Sequence, residues 1–312
     1  ADLFLPQAYE QYLPLVNPSH IAMGDSYTAI ADENLIYLYE RESETYSVYR
    51  HLVGNDQTPS AISQVQFTDG GDLYFTDMHN LYHYNFEGHS AEIVHDISPR
   101  TFLIHGDYLY MANDSPTSGK VDISYVPLSN LHVDERHTLT DNIDASNPLL
   151  AFEDGMLYCI INNNTVIAYS EATHAYVESF ELDSSRVQIS DLKFVCAHNG
   201  NLYYSVNGLD GSKNGIYQTD MHGSARKVIA GNGFSSITAH GDKLYCMQNK
   251  SVRELEVTED GVSFTDFEIA ASSPSVNRFY GAVDSVRARD LLVTADELAE
   301  RLGRVRVYNL ET

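Results

Sequence analysis

Short runs in which apolar and polar positions alternate, each bounded by a turn of Gly, Asn or Asp, fill the sequence from end to end, which is the pattern of half-buried strands. Those runs repeat. A turn, an aliphatic residue and then a tyrosine recur at Asn34-Leu35-Ile36-Tyr37, Gly71-Asp72-Leu73-Tyr74, Gly106-Asp107-Tyr108-Leu109-Tyr110, Gly155-Met156-Leu157-Tyr158, Gly200-Asn201-Leu202-Tyr203 and Gly241-Asp242-Lys243-Leu244-Tyr245. A seventh, degenerate copy is Arg289-Asp290-Leu291-Leu292. The anchors Tyr37, Tyr74, Tyr110, Tyr158, Tyr203, Tyr245 and Leu292 are 37, 36, 48, 45, 42 and 47 residues apart. Each tyrosine run follows an apolar run such as Thr101–His105 or Ser236–His240 and precedes two more, such as Gly215–Thr219 and Ala225–Ile229.

Four short strands per unit of about 40 residues is the signature of a β-propeller blade. The pattern therefore predicts an all-β, seven-bladed β-propeller with four antiparallel strands per blade, one domain over residues 1–312. The Gly and Asn turns supply the positive φ of a tight hairpin, and the aromatic strands pack blade on blade. The last unit ends at its third strand, 304–310. The N-terminal segment around Tyr12-Leu13-Pro14-Leu15-Val16 is expected to supply the fourth, closing the ring. One segment reads differently: Thr294 as N-cap, Glu297 three residues on and Gly303 as a stop predict a short helix over 294–303.

Composition narrows the class. Hydrophobic residues make up 43% of 312, enough to fill a core, so a disordered or fibrous chain is excluded. There are 44 Asp and Glu against 19 Lys and Arg, a formal charge of −25, which disfavours nucleic acid and anionic lipid as partners. Residues 278–312 hold six Arg and six acids, so the whole charge falls on the rest of the chain. No run is long and apolar enough to span a membrane, so membrane insertion is not expected. The start at Ala1–Pro6 lacks the basic end and apolar run of a signal peptide, which suggests a mature or trimmed soluble piece. Cys159, Cys196 and Cys246 lie in apolar strand runs and read as buried thiols.

The run Leu73-Tyr74-Phe75-Thr76-Asp77 with Leu81–Gly88 resembles the YWTD-type blade of low-density lipoprotein receptor propellers. It is more similar still to bacterial propellers of unknown function whose hairpins end at Asp-Gly, and Leu202–Tyr204 with Ile216–Gly223 shows the same form. The resemblance covers six of seven units for the tyrosine strand and two for the hairpin ending. It implies a recognition role outside the cell or in the envelope and carries no catalytic residue. The absence of Trp demotes the WD40, quinoprotein and sialidase patterns.

Catalytic and metal motifs are missing. His105, His198 and His240 recur before the turn in three units and read as solvated turn residues, and no zinc spacing occurs. No cofactor is expected, with calcium at Asp210, in the loop 207–214, as the more plausible metal. The functional expectation rests on one face. Loops joining second to third strands, and those joining blades, lie on the same side and are rich in Asn, Asp, Gln and Ser, which suit hydrogen bonding to a polar ligand or simply favour turns. Candidate ligand-binding residues are Asn80, Asn113, Asn162, Asn207, Asn249 and Asp210. The leading expectation is a non-enzymatic recognition or scaffold propeller for a protein or carbohydrate ligand, part of a secreted or cell-surface bacterial protein. The alternatives are a lyase, lactonase or glycosidase with a site in the central channel, and an intracellular assembly scaffold.

Overall fold

The structure, a computed structural model, describes residues 7–77, 79–94, 99–117, 119–144, 148–161, 164–182, 192–221, 223–271, 278–286, 289–299 and 302–310. Strand β1 (Gln7–Leu13) comes first. The first sheet holds β2 (Pro18–Met23), β3 (Tyr27–Asp32), β4 (Leu35–Glu40) and β5 (Thr45–Arg50). A small hairpin, β6 (Leu52–Val53) and β7 (Thr58–Pro59), leads to the second sheet, β8 (Gln64–Phe67), β9 (Leu73–Thr76), β10 (Leu81–Asn85) and β11 (Ser90–Ile93). The third is β12 (Pro99–His105), β13 (Tyr108–Asp114), β14 (Val121–Pro127) and β15 (His137–Ile143). The fourth is β16 (Leu149–Glu153), β17 (Met156–Ile161), β18 (Thr165–Ser170) and β19 (Tyr176–Glu181). The fifth is β20 (Leu192–His198), β21 (Asn201–Val206), β22 (Gly215–Thr219) and β23 (Ala225–Ala230). The sixth is β24 (Phe234–His240), β25 (Lys243–Gln248), β26 (Ser251–Thr258) and β27 (Gly261–Ala270), and the seventh contains β28 (Arg278–Val286), β29 (Arg289–Ala299) and β30 (Leu302–Asn309).

Strands follow in chain order across the first six sheets, whereas the seventh runs β1-β30-β29-β28. Seven four-stranded antiparallel sheets are the blades of a β-propeller, as the repeats predict. The expected exchange at the termini is present: β1 pairs antiparallel with β30, with Glu10 opposite Arg306 and Tyr12 opposite Arg304. The chain forms two compact units. In one, Ala112–Ser124 with Thr138–Ile269, Val166, Ala168, Leu202 and Tyr204 fill the space between the fourth and fifth sheets, and Tyr203, Ile216, Phe234 and Leu244 that between the fifth and sixth. In the other, Phe4–Met111 with Tyr125–His137 and Ala270–Thr312, Leu15, Ile30, Tyr37 and Val293 join the seventh sheet to the first, and Ile36, Leu38, Leu73 and Phe75 join the first to the second. All seven anchor residues are buried, as are the three cysteines, whose thiols burial pushes upward, Cys246 to about 12.

Two expectations change. Six anchors lie on the second strand of their sheets, but Tyr37 lies on β4, the third strand of the first sheet. Its second strand is β3, Tyr27-Thr28-Ala29-Ile30-Ala31-Asp32, which carries no tyrosine at its centre. Second and third strands are both covered on two faces, so both select the same aliphatic and aromatic residues, and β4 imitates the repeat.

The predicted helix over 294–303 is strand instead. Residues 294–299 continue β29, 302–303 begin β30, and 300–301 lie outside the described residues. Every residue from Leu291 to Asp296 is buried, with β28 on one side and β30 on the other. An N-cap contributes about 1 kcal/mol, while burying one Leu or Val contributes about 2 kcal/mol, so the two-sided ladder wins. Asp296, within that segment, is fully buried, 3.7 Å from Arg304 and 3.8 Å from Arg306 on the neighbouring strand.

Between the second and third sheets, polar stitching is added to the apolar packing of Tyr74, Leu81, Phe102, Leu109 and Met111. The Gln64 and Gln66 amides both donate to the carbonyl of Phe102, at 2.8 and 2.7 Å, while their oxygens accept from the Phe102 and Ile104 N–H groups. Two side chains thus occupy the open edge of β12 that a further strand would otherwise seek.

Gly303 is an opening in the wall. A Cβ there would overlap Leu15, lying 2.6 Å from its Cγ, and Leu15 is fully buried. The glycine lets the chain after β1 cross tightly over β30 towards the first sheet. Gly303→Ala should destabilise the protein by about 1–3 kcal/mol by driving Leu15 outward. Urea denaturation checks this, and an unchanged midpoint would show that residues 14–17 are not held by that contact.

Candidate functional site

Five of the six residues singled out by loop composition lie among the described residues, and most spend their polar atoms on their own turns. Asn80 donates its N–H to Asp77 at 2.8 Å. Asn113 is buried, accepting from Ser124 at 2.8 Å and donating to the Asp114 carbonyl. Asp210 caps a 3-10 turn, taking the Ser212 N–H at 3.1 Å and its hydroxyl at 2.6 Å. Asn249, in the β25–β26 turn with φ 51°, donates its N–H to the Gly233 carbonyl, extending the pairing of β24 with β25. Asn207 is exposed, and Asn162 lies outside the described residues. Of the turn histidines, His105 is exposed, but His198 is buried beside Tyr203, a correction to the solvated reading. Among the described residues no group of three or more His, Cys, Asp or Glu is placed to hold a metal ion.

The structure gathers a different set in the second unit. Two adjoining depressions share Asn17 and Glu33. The first, about 410 Å3, has Asn17, Ser19, Glu33 and Asn34 on one side and Pro59, Ala61 and Ile62 on the other. The second, about 490 Å3, adds Val16, Arg278 and Glu297. They lie where the turn between β3 and β4, the connection from the first sheet to the second, and the segment between β1 and β2 meet. These are the second-to-third-strand and blade-joining loops that the sequence pattern assigns to one face.

Each wall is fixed by a buried carboxylate at the end of a second strand. Asp32, 1% exposed, accepts the Val16 N–H at 3.0 Å and the Asn17 N–H at 2.5 Å. Burial pushes its carboxyl above the usual range, and those two N–H groups pull back against it. On the other wall, Asp77 accepts from His51 Nε2 at 2.8 Å, Ser60 Oγ at 3.1 Å, and the His79 and Asn80 N–H groups at 2.7 and 2.8 Å. Burial alone would raise its carboxyl. The bonds from His51 and the two amides outweigh it and hold Asp77 well below the ordinary value. His51 is in turn held by Tyr49 at 3.0 Å and boxed by the rings of Phe75 and Tyr82. With the Ile62 N–H donating to the Glu33 carbonyl and the His51 N–H to the Asn34 carbonyl, both at 2.7 Å, this wall is tied to the β3–β4 turn.

His51, Asp32 and Asp77 were not among the sequence candidates. The available signal was positional: Asp32-Glu33-Asn34 and Asp77-Met78-His79-Asn80 both place Asp at the strand end with Asn two or three residues on. Nothing in the run Tyr49-Arg50-His51 marks its histidine as the partner of a carboxylate 26 residues away.

Two outcomes follow from this geometry. Asp77→Asn removes the charge opposite His51, and loss of one side of a buried pair costs about 3 kcal/mol. A double-mutant cycle with His51→Gln should show strong coupling, and additive effects would show that the pair does not hold the connection. His20, whose Nδ1 lies 2.9 Å from Ser19 Oγ, is lowered to about 4 by burial. The unfolded chain takes up that proton near pH 6.5 and the folded one only near pH 4, so stability should fall as pH drops through this window, by on the order of 3 kcal/mol. Urea titrations from pH 7 to 4 read the slope, which His20→Gln should flatten; equal slopes in both proteins would refute the assignment.

No protein-family profile and no curated protein matches the chain, so the likeness to YWTD-type blades rests on the repeat residues alone. Solved structures do match, 1223 chains in all, too many to select one function. One is a chain in a crystal structure of the mitotic checkpoint complex, aligned over 100% of this chain and 94% of its own, with a TM-score of 0.67 and 12% sequence identity. At that identity the likeness shows the β-propeller fold alone.

Proposed function

We propose that the chain is a non-enzymatic recognition propeller that binds a polar ligand in the paired depressions around Asn17 and Glu33. The observation that supports this is their construction. Both walls are connecting segments, the parts of a fold that ordinarily move, yet each is pinned by a buried carboxylate. A surface held in one shape before contact loses little entropy on binding. The lining also has the composition of a contact surface, with amides and charges beside the apolar carbons of Val16, Pro59 and Ile62. A position outside the cell or in the envelope belongs to the same proposal, on the strength of the blade resemblance.

Glycan and peptide arrays probed with the full chain and with Ala61→Trp, which sets a large ring in the first depression, test the reading. At least one ligand should be retained by the parent and weakened tenfold or more by the substitution. Ligands bound equally by both proteins, an empty array, or turnover of a polysaccharide or lactone by the parent would each overturn it, the last in favour of a propeller enzyme.

A further inference from the structure

We infer that the group seated in the first depression is a lysine or arginine side chain carried on an exposed peptide segment. This rests on the recognition reading above and adds the chemistry of the ligand.

Among the described residues, Glu33 is the one charged residue lining that depression. It is exposed, at the tip of the β3–β4 turn with φ 52°, and among the described residues its carboxylate has no hydrogen-bond or ion-pair partner. Its backbone carbonyl, by contrast, is used, accepting from the Ile62 N–H at 2.7 Å. The turn is thus fixed by its main chain while the side chain is left for something else. Facing it, Pro59, Ala61 and Ile62 present apolar carbon. Asn17 and Asn34 add amide oxygens that accept hydrogen bonds.

The complement of that surface has an aliphatic stem and a cationic, donor-only head. Lysine and arginine are built that way, and both lay their methylenes along apolar surface while the head reaches a polar partner. A volume of about 410 Å3 holds either side chain with room for flanking main chain. The second depression does not reverse the sign, because Arg278 stands opposite Glu297 in the β28–β29 register, leaving Glu33 as the net charge of the described lining. The chain's formal charge of −25 attracts cations to the surface and slows anions. A sugar would fit less well. Among the described residues, none lining either depression is aromatic, in a chain with 22 Tyr and 12 Phe, so a pyranose ring face finds no flat partner among them.

The test selects capped random heptapeptides on the full chain and measures the recovered peptides by fluorescence anisotropy. The recovered set should share Lys or Arg at one fixed position. Replacing that residue with Met should weaken binding at least tenfold, and Glu33→Gln should do the same to the parent peptide but little further to the Met peptide. Glu87→Gln, an exposed acid on the second sheet, should leave binding unchanged. The thermal midpoint of Glu33→Gln should equal that of the parent, since the carboxylate holds nothing in the fold. Peptides without a fixed basic residue, indifference to Glu33→Gln, or an empty selection would overturn the inference. Glycans or acidic peptides lost with Ala61→Trp but kept by Glu33→Gln would defeat this ligand class and leave the recognition reading standing.

Discussion

The crossing of residues 14–17 from the last sheet to the first is the constraint on which the second unit depends. β1 can complete the seventh sheet only if the chain then turns sharply enough to begin β2 beside it. Three features make that turn possible. Gly303 leaves the space that Leu15 fills, Leu15 is wholly buried in the cluster joining the two sheets, and the next two N–H groups end on Asp32. No strand partner is at hand for the N–H groups that follow the buried Leu15, so a buried carboxylate takes them. Shape, burial and hydrogen bonding converge on this short segment, and two of its residues, Val16 and Asn17, line the groove.

Asp32 and Asp77 occupy corresponding places in neighbouring sheets, and their surroundings shift the two carboxyls in opposite directions. Asp77 receives a histidine, a serine and two amides, enough to offset the cost of burying charge, and it is held as an anion. Asp32 receives two amides and lies near Glu33, whose charge raises it further. The second wall is therefore anchored by a strong, specific network and the first by a weaker one, so the segment 14–17 is the side on which the groove can give. An occupant contacting both Asn17 and Ile62 ties the less secure wall to the more secure one.

The sequence states its architecture loudly because the blade repeat is enforced at many sites at once. Five of its turn glycines, Gly71, Gly106, Gly155, Gly200 and Gly241, have the positive φ that only a few residues accept, and each tyrosine run after them is buried. Where it misleads, a local signal competes with a long-range one. Thr294–Gly303 carries good helix ends, but helix ends are judged within one turn, while Asp296 is answered by Arg304 and Arg306 through a strand pairing invisible to that window. Tyr37 deceives for the opposite reason, since a third strand covered on both faces looks like a second. His51 gives no signal because its meaning lies in a carboxylate two strands and a hairpin away.

None of the described candidate loop residues lines the groove, for a reason that holds beyond this chain. Asn and Asp are common in loops because their side chains satisfy turn backbones, and a side chain that closes its own turn has little left to offer a ligand. Asp210 is consumed in this way, and Asn113 is taken up by Ser124 on the neighbouring strand. Glu33 differs: glutamate is a poor turn former, yet it sits in a left-handed turn held by main-chain bonds from neighbouring segments. A charged side chain that the fold does not use, on a backbone that the fold fixes firmly, is a stronger mark of a contact surface than any density of turn-forming residues.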